Sequence, residues 1–211
     1  MSIVKSSIEV ILFDLGNVIL PFNHYQIAEK LSSFVKREDF KEPQKIFSYL
    51  FDFKKGAVNG YEVGKATSLE FFQSLKESLS LSLTFEEFKP IWNDIFWENE
   101  EVSEIILGLK GKKRLGLVSN TNPLHFDYIV SKFPIVKVFD HWVLSHEVGF
   151  KKPAPEIFKK AMEWARVTPE KIIFIDDMKT HVEVAVSLGM KGIHFISPQQ
   201  LRKELNQIIS L

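Results

Sequence analysis

The 211-residue sequence contains no cysteine. That absence excludes a disulfide framework, a thiolate nucleophile and any zinc or iron–sulfur site that needs sulfur ligands. Net charge is lacking as well, since Lys plus Arg and Asp plus Glu each total 27. A balanced chain offers no field to draw nucleic acid or an anionic membrane surface, and neither is expected as a partner. Long apolar runs are also missing. Ile8 to Phe13 is too short to span a bilayer, and Asp14 interrupts it before any small-residue cleavage pattern, so a cytoplasmic location is expected. The chain has no repeat, low-complexity tract or heptad seam. It has neither a G-x-x-x-x-G-K-[ST] loop nor a G-x-G-x-x-G fingerprint, which disfavours nucleoside triphosphates and dinucleotides as ligands.

What the chain does have is apolar mass: 45% of its residues are hydrophobic and 19 are phenylalanine, enough to bury a substantial core. Short β-rich runs recur at Ile8 to Phe13, Arg114 to Val118, His141 to Leu144, Lys171 to Ile175 and Gly192 to Ile196. They are too brief for helices and mostly apolar throughout, as strands buried on both faces are. Helical patterns fall between and after the later runs, over Asn122 to Phe133, Pro155 to Arg166, His181 to Leu188 and Pro198 to Ile209. This alternation predicts an α/β fold with a doubly wound parallel sheet. The interval from 20 to 107 lacks the alternation and reads as helical, with capping boxes at Thr67 to Glu70 and Thr84 to Glu87. Pro90 is expected to kink or break the second of those helices, and Lys54 to Gly64 reads as a loop. The chain therefore divides into a discontinuous core, 1–19 and 108–211, and an all-helical insert, 20–107.

In an open parallel sheet, ligands bind beyond the carboxyl ends of the strands. Four polar stretches stand at such ends: Asp14 after "VILF", Ser119 to Asn122 after "LGLV", Lys151-Lys152-Pro153, and Asp176-Asp177 after "KIIFI". Singly, each has an ordinary explanation: a capping carboxylate, N-cap residues before a helix, a solvated basic turn. The adjacent pair Asp176-Asp177 resists that treatment, because like charges at the end of a buried strand repel and ask for a cation. Together the carboxylates of Asp14, Asp176 and Asp177 supply hard oxygen ligands suited to Mg²⁺, while Lys152 and the Ser119 hydroxyl suit phosphate oxygens. The joint reading is a metal-assisted phosphoryl site.

The stretches "ILFDLGNV", "LVSNTN", "FKKP" and "FIDD" resemble, in order, the four motifs of the haloacid dehalogenase (HAD) superfamily. The nearest pattern is that of small bacterial phosphatases beginning "FDLGNV" with a helical cap after the first strand, a subgroup that includes α-D-glucose-1-phosphate phosphatase. The resemblance implies that Asp14 is the nucleophile and that Mg²⁺ is held by Asp14, the Gly16 carbonyl and Asp177, with Asp176 supporting that shell. It implies that Ser119 and Lys152 bind the phosphoryl group, and that Asn120 contacts substrate. The implied activity is hydrolysis of a small phosphomonoester, such as a sugar phosphate, through an aspartyl-phosphate.

One departure stands out. Most phosphatases of this superfamily carry Asp two residues after the nucleophile as acid and base, and here that position is Gly16. Loss of such assistance removes about 10²- to 10⁴-fold in rate unless another group replaces it. His24 is near enough in sequence to be a replacement and titrates in a suitable range, against the plainer reading of a cap or surface histidine. His181, in the first turn of the helix after Asp176-Asp177, is placed to approach the metal shell, against the plainer reading of a polar wall or exposed residue, and the run Lys110 to Arg114 reads as a solvated loop. Two rivals follow from Gly16: a phosphometabolite-binding or regulatory protein with little turnover, and a 2-haloacid dehalogenase. Retention of Asp176-Asp177 counts against the second.

Overall fold

Among residues 8–209, which the computed structural model describes, five strands form one sheet: β1 (Val10–Phe13), β2 (Arg114–Ser119), β3 (His141–Leu144), β4 (Ile172–Asp176) and β5 (Lys191–His194). They pair in the order β3-β2-β1-β4-β5, all parallel. The strands are apolar on both faces because both faces are covered. Ile11, Phe13, Leu115, Leu117, Ile173 and Ile175 enter one buried cluster, whereas Val10, Leu12, Val118, Ile172 and Phe174 enter another. That alternation is the two-residue period of a strand.

Helices lie between and after the strands where the sequence pattern puts them: Pro123–Lys132, Pro155–Ala165 and Lys179–Ser187 between strands, and Pro198–Ile208 after β5. Asn122 and Ser197 cap the first and last of these through their side chains, and a proline occupies the opening turn of each. The result is the α/β, doubly wound parallel sheet expected from the sequence.

A separate apolar cluster gathers Ile27, Leu31, Ile46, Leu50, Tyr61, Phe71, Leu75, Phe88 and Trp92 from helices Tyr25–Ser32, Pro43–Phe51, Val58–Tyr61, Ser68–Leu79 and Phe85–Asn93. Both expected capping boxes are present, Thr67 with Glu70 and Thr84 with Glu87. Two local expectations need correcting. Of the kink or break expected at Pro90, the break does not occur, because helix Phe85–Asn93 runs through that residue. It ends only three residues later, so the forfeited backbone bond lies near a terminus, while Phe88 and Trp92 anchor the helix on either side. Lys54 to Gly64 is not wholly a loop, because Val58–Tyr61 forms a helical turn whose Val58 and Tyr61 are buried in the cap cluster. Helix Glu100–Leu109 packs Val102, Ile105, Ile106 and Leu109 against the sheet's cluster. On this packing we propose the same division as before, a core plus a cap inserted near 20–107, with that last helix as the elbow between them.

Candidate active site

The sheet register does the first part of the positioning. Phe13 pairs with Ile175, so Asp14 and Asp176 emerge level with one another from neighbouring strands. Adjacent β2 ends in the buried Ser119, next to Asn120. One oxygen from each of Asp14, Asp176 and Asp177 lies within 4.8 Å of the others.

Lys152 enters this acidic cluster and is itself buried, 2% exposed. Its Nζ stands 2.7 Å from Asp14 Oδ1 and 2.7 Å from Asp176 Oδ2. The Asn120 side chain clasps the Lys152 backbone, accepting from its N–H at 2.7 Å and donating to its carbonyl at 2.9 Å. Loop and strand end are thereby tied together, and Lys152 is aimed from a fixed base. Asp14 Oδ1 also accepts the Leu15 N–H at 2.7 Å, whereas Oδ2 has no hydrogen bond from any described residue.

Asp176 is the most fully satisfied of the three. Beyond Lys152, its Oδ1 accepts the Met178 N–H at 2.8 Å and faces His181 Nδ1 at 3.0 Å. Burial alone would raise its pKa, but Lys152 and His181 outweigh that and hold it at about 2. Asp14 goes the other way. Burial pushes it up to about 7, against the pull of Lys152, with Asp176 and Asp177 adding repulsion. Asp177 is raised by burial and by Asp176. Burial works against the Lys152 ammonium too, yet Asp14 and Asp176 overcome it and keep it charged.

Three carboxylates converge on one ammonium, and the raised pKa values of Asp14 and Asp177 follow first from burial and then from repulsion among the carboxylates. Hard oxygens at this spacing fit a small divalent cation such as Mg²⁺. Asp14, Asp177 and the Gly16 carbonyl would hold it.

A cavity of about 300 Å³ opens over the cluster, lined from the core by Asp14, Gly16, Asn17, Asn120, Lys151, Lys152, Asp177 and His181. From the cap come Phe22, His24, Phe51, Val58, Asn59 and Glu62. Ser119, buried at the strand end, is not among the described residues lining it.

Sequence reasoning missed several members. Asn17 takes a left-handed φ of 54°, which asparagine tolerates better than most residues, and donates its Nδ2 to Asp177 Oδ2 at 3.2 Å. An asparagine directly after glycine at a strand end was the available signal. Lys151, expected in a solvated turn, reaches across to the cap and pairs with Glu62 Oε2 at 3.0 Å. His181 was not missed: it lines the cavity as a wall residue would, and its Nδ1 faces Asp176. A methyl group placed on Gly16 would lie 2.7 Å from Phe22 Cε1, so the direction in which an aspartate would project is filled by a cap ring.

Residues 8–189 match the sequence model of the haloacid dehalogenase-like hydrolase family. The chain belongs to that family. Within it, the chain is 29% identical over 210 residues to D-ribitol-5-phosphate phosphatase of Bacteroides thetaiotaomicron, covering 96% of this chain and 99% of the relative. It is 32% identical over 110 residues to the phosphorylated carbohydrates phosphatase of Thermotoga maritima, covering 52% of this chain and 51% of that one. Among solved structures, a HAD family enzyme of Bacteroides thetaiotaomicron in complex with magnesium and inorganic phosphate superimposes with a TM-score of 0.77 at 26% identity, covering 89% of this chain and 93% of that one. HAD-like hydrolases thus match this chain in fold as well as in sequence.

Proposed function

We propose that this HAD-like hydrolase is a Mg²⁺-dependent phosphatase that hydrolyses the phosphomonoester of a small sugar or sugar alcohol through an aspartyl-phosphate. The carrying observation is the placement of Asp14 in one cluster with Asp176, Asp177 and Lys152, at the floor of a cavity roofed by the cap. The names of the two sugar- and polyol-phosphate phosphatases support the substrate class, and a magnesium–phosphate complex of a similar fold supports the cofactor.

In this reading the uncommitted Asp14 Oδ2 attacks phosphorus as the bond from phosphorus to the alcohol oxygen breaks. The electron pair stays on that oxygen, which takes a proton from solvent water and leaves as the alcohol. Water then attacks the phosphoryl group on Asp14, releasing phosphate and restoring the carboxylate. The bound cation would neutralise repulsion between an anionic phosphate and an anionic nucleophile. Lys152 counters charge on the transferring group from a buried position, where an ammonium acts more strongly than in water. Asn120 closes the phosphate side, chiefly by holding the Lys152 backbone, with Ser119 buried behind it at the end of β2. Asp176 keeps Lys152 and His181 in register and so supports the cation site at one remove.

A steady-state assay tests this with p-nitrophenyl phosphate and a panel of sugar and polyol phosphates, with Mg²⁺ and with EDTA. The expected result is turnover that needs the metal and disappears in Asp14→Asn, whose fold remains intact. Turnover surviving that substitution would remove the nucleophile assignment. Phosphate binding without turnover on any substrate would favour a binding protein instead, and halide release from a 2-haloacid in EDTA would favour a dehalogenase.

A further inference from the structure

A phosphoryl-aspartate needs a base to activate water, and the position that carries one in most phosphatases of this superfamily is Gly16, with the space beyond it taken by Phe22. The titratable side chains lining the cavity are Asp14, Asp177, Glu62, Lys151, Lys152, His24 and His181. Nearly all are committed inside the protein. Lys152 binds Asp14 and Asp176, Lys151 binds Glu62 and Asn59, His181 binds Asp176, and Asp177 accepts from Asn17. His24 stands apart from these. Neither of its ring nitrogens bonds to any described residue and neither is among the sealed, unpartnered buried atoms, whereas His181 has Nδ1 held by Asp176 and only Nε2 unbonded.

The ring is nonetheless fixed. It stacks on Phe51 with centroids 4.3 Å apart and planes 5° from parallel, and it leans on Phe22 at 4.4 Å. Phe22 therefore does two things, filling the direction of the absent aspartate and packing against the imidazole. We propose that His24 is the general base for the dephosphorylation half-reaction, taking over from the cap the task that Gly16 gives up in the core. This deepens the phosphatase reading and rests on it.

The step balances as follows. A water oxygen forms a bond to the phosphorus carried on Asp14 as the bond from phosphorus to Asp14 Oδ2 breaks, and the electron pair returns to the carboxylate. One water proton passes to an open His24 nitrogen, and the imidazolium releases it to bulk water after phosphate leaves. Burial lowers His24 to about 4, which leaves the imidazole neutral at neutral pH with roughly the basicity of an ordinary carboxylate. Burial thus moves His24 below the titration range expected from the sequence while keeping it unprotonated and able to accept a proton. The charged and titratable groups facing it are Asp14, Asp177, Lys152 and His181 of the core and the Lys151–Glu62 pair. His125, 6.1 Å away, is itself lowered to about 3 by burial and by His24, and brings no charge.

The test uses the full chain with Mg²⁺ and p-nitrophenyl phosphate under pre-steady-state mixing, comparing the native protein with His24→Gln and His24→Ala. The expected result for His24→Gln is a burst approaching one p-nitrophenolate per chain followed by slow turnover. Steady-state kcat falls on the order of 10²-fold or more, KM falls with it, and acid quenching traps phosphate on Asp14. In His24→Ala, added imidazole should restore turnover, a rescue that a purely structural loss would not show. A drop in kcat with no phosphoenzyme accumulating, or native rates in both variants, would overturn the assignment. Absence of turnover in the native protein would instead remove the phosphatase reading itself.

Discussion

The Lys152 ammonium touches two carboxylates while three gather around it, and this imbalance has a thermodynamic consequence that can be measured without any substrate. Asp14 is raised from 3.8 to about 7 chiefly by burial. A group whose folded pKa is raised contributes stability that is complete below its unfolded value and lost as pH rises through the folded value. Ionisation of Asp14 therefore opposes folding between about pH 4 and pH 7, and the full cost is felt above 7. In EDTA, Asp14→Asn should melt higher than the native protein at pH 8, on the order of 5 °C for a few kcal/mol in a chain of this size, with the advantage shrinking by pH 5. Equal melting temperatures at pH 8 would show that the native site carries no such excess charge. Asp176 has the reverse sign: held at about 2 by Lys152 and His181 against burial, its contribution is present above the ordinary carboxylate value and lost only as pH falls through about 2. At this scale the clustering of Asp14, Asp176 and Asp177 was legible, because each stands where a polar residue ends an apolar run. Partner choice was not legible. Asn17 finds Asp177 across 160 positions, and neither segment alone carries a pattern announcing the contact.

Elements were legible where local patterning and burial agree. The five strands and the later helices follow from apolar runs and cap residues, and both capping boxes form as written in the sequence. Val58–Tyr61 escaped because its helicity comes from outside: Tyr61 stacks on Phe71 at 4.3 Å and its hydroxyl meets Ser68 at 2.7 Å, contacts that override glycine-rich local chemistry. This short turn matters to function because it presents Asn59, with Glu62 following it, to Lys151 of the core, forming a bridge between cap and core at the cavity wall. The bridge is partly buried, with side chains 27% and 16% exposed, so its worth in stability is small, about 1 kcal/mol or less. On the proposed phosphatase reading its worth in substrate selection is larger, since Asn59, Glu62 and Lys151 line the cavity over Asp14. Glu62→Gln should therefore leave the melting temperature within a few degrees while raising KM for a sugar phosphate several-fold, with kcat and p-nitrophenyl phosphate turnover little changed. A loss of kcat without a change in KM would move Glu62 from substrate binding to the chemical step.

For the whole molecule, the sheet and the cap meet over a floor of acidic side chains, so the proposed cation would stabilise the core and prepare the cavity at once. A ligand that binds only the folded state adds RT ln(1 + [L]/Kd), about 2.7 kcal/mol at a hundredfold excess over Kd, which corresponds to roughly 5–10 °C in a chain of this length. Saturating Mg²⁺ should raise the melting temperature by that order. The gain should vanish in Asp177→Asn, which removes a carboxylate of the cluster while leaving Lys152 its contacts with Asp14 and Asp176. The gain should also grow with pH. Cation binding requires ionised carboxylates, and Asp14 at about 7 and the raised Asp177 are the groups that must give up protons. A Mg²⁺ shift larger at pH 8 than at pH 6 is the expected signature. A shift that ignores pH, or that persists in Asp177→Asn, would place the cation elsewhere on the protein and separate the acidic cluster from the metal-assisted chemistry assigned to it.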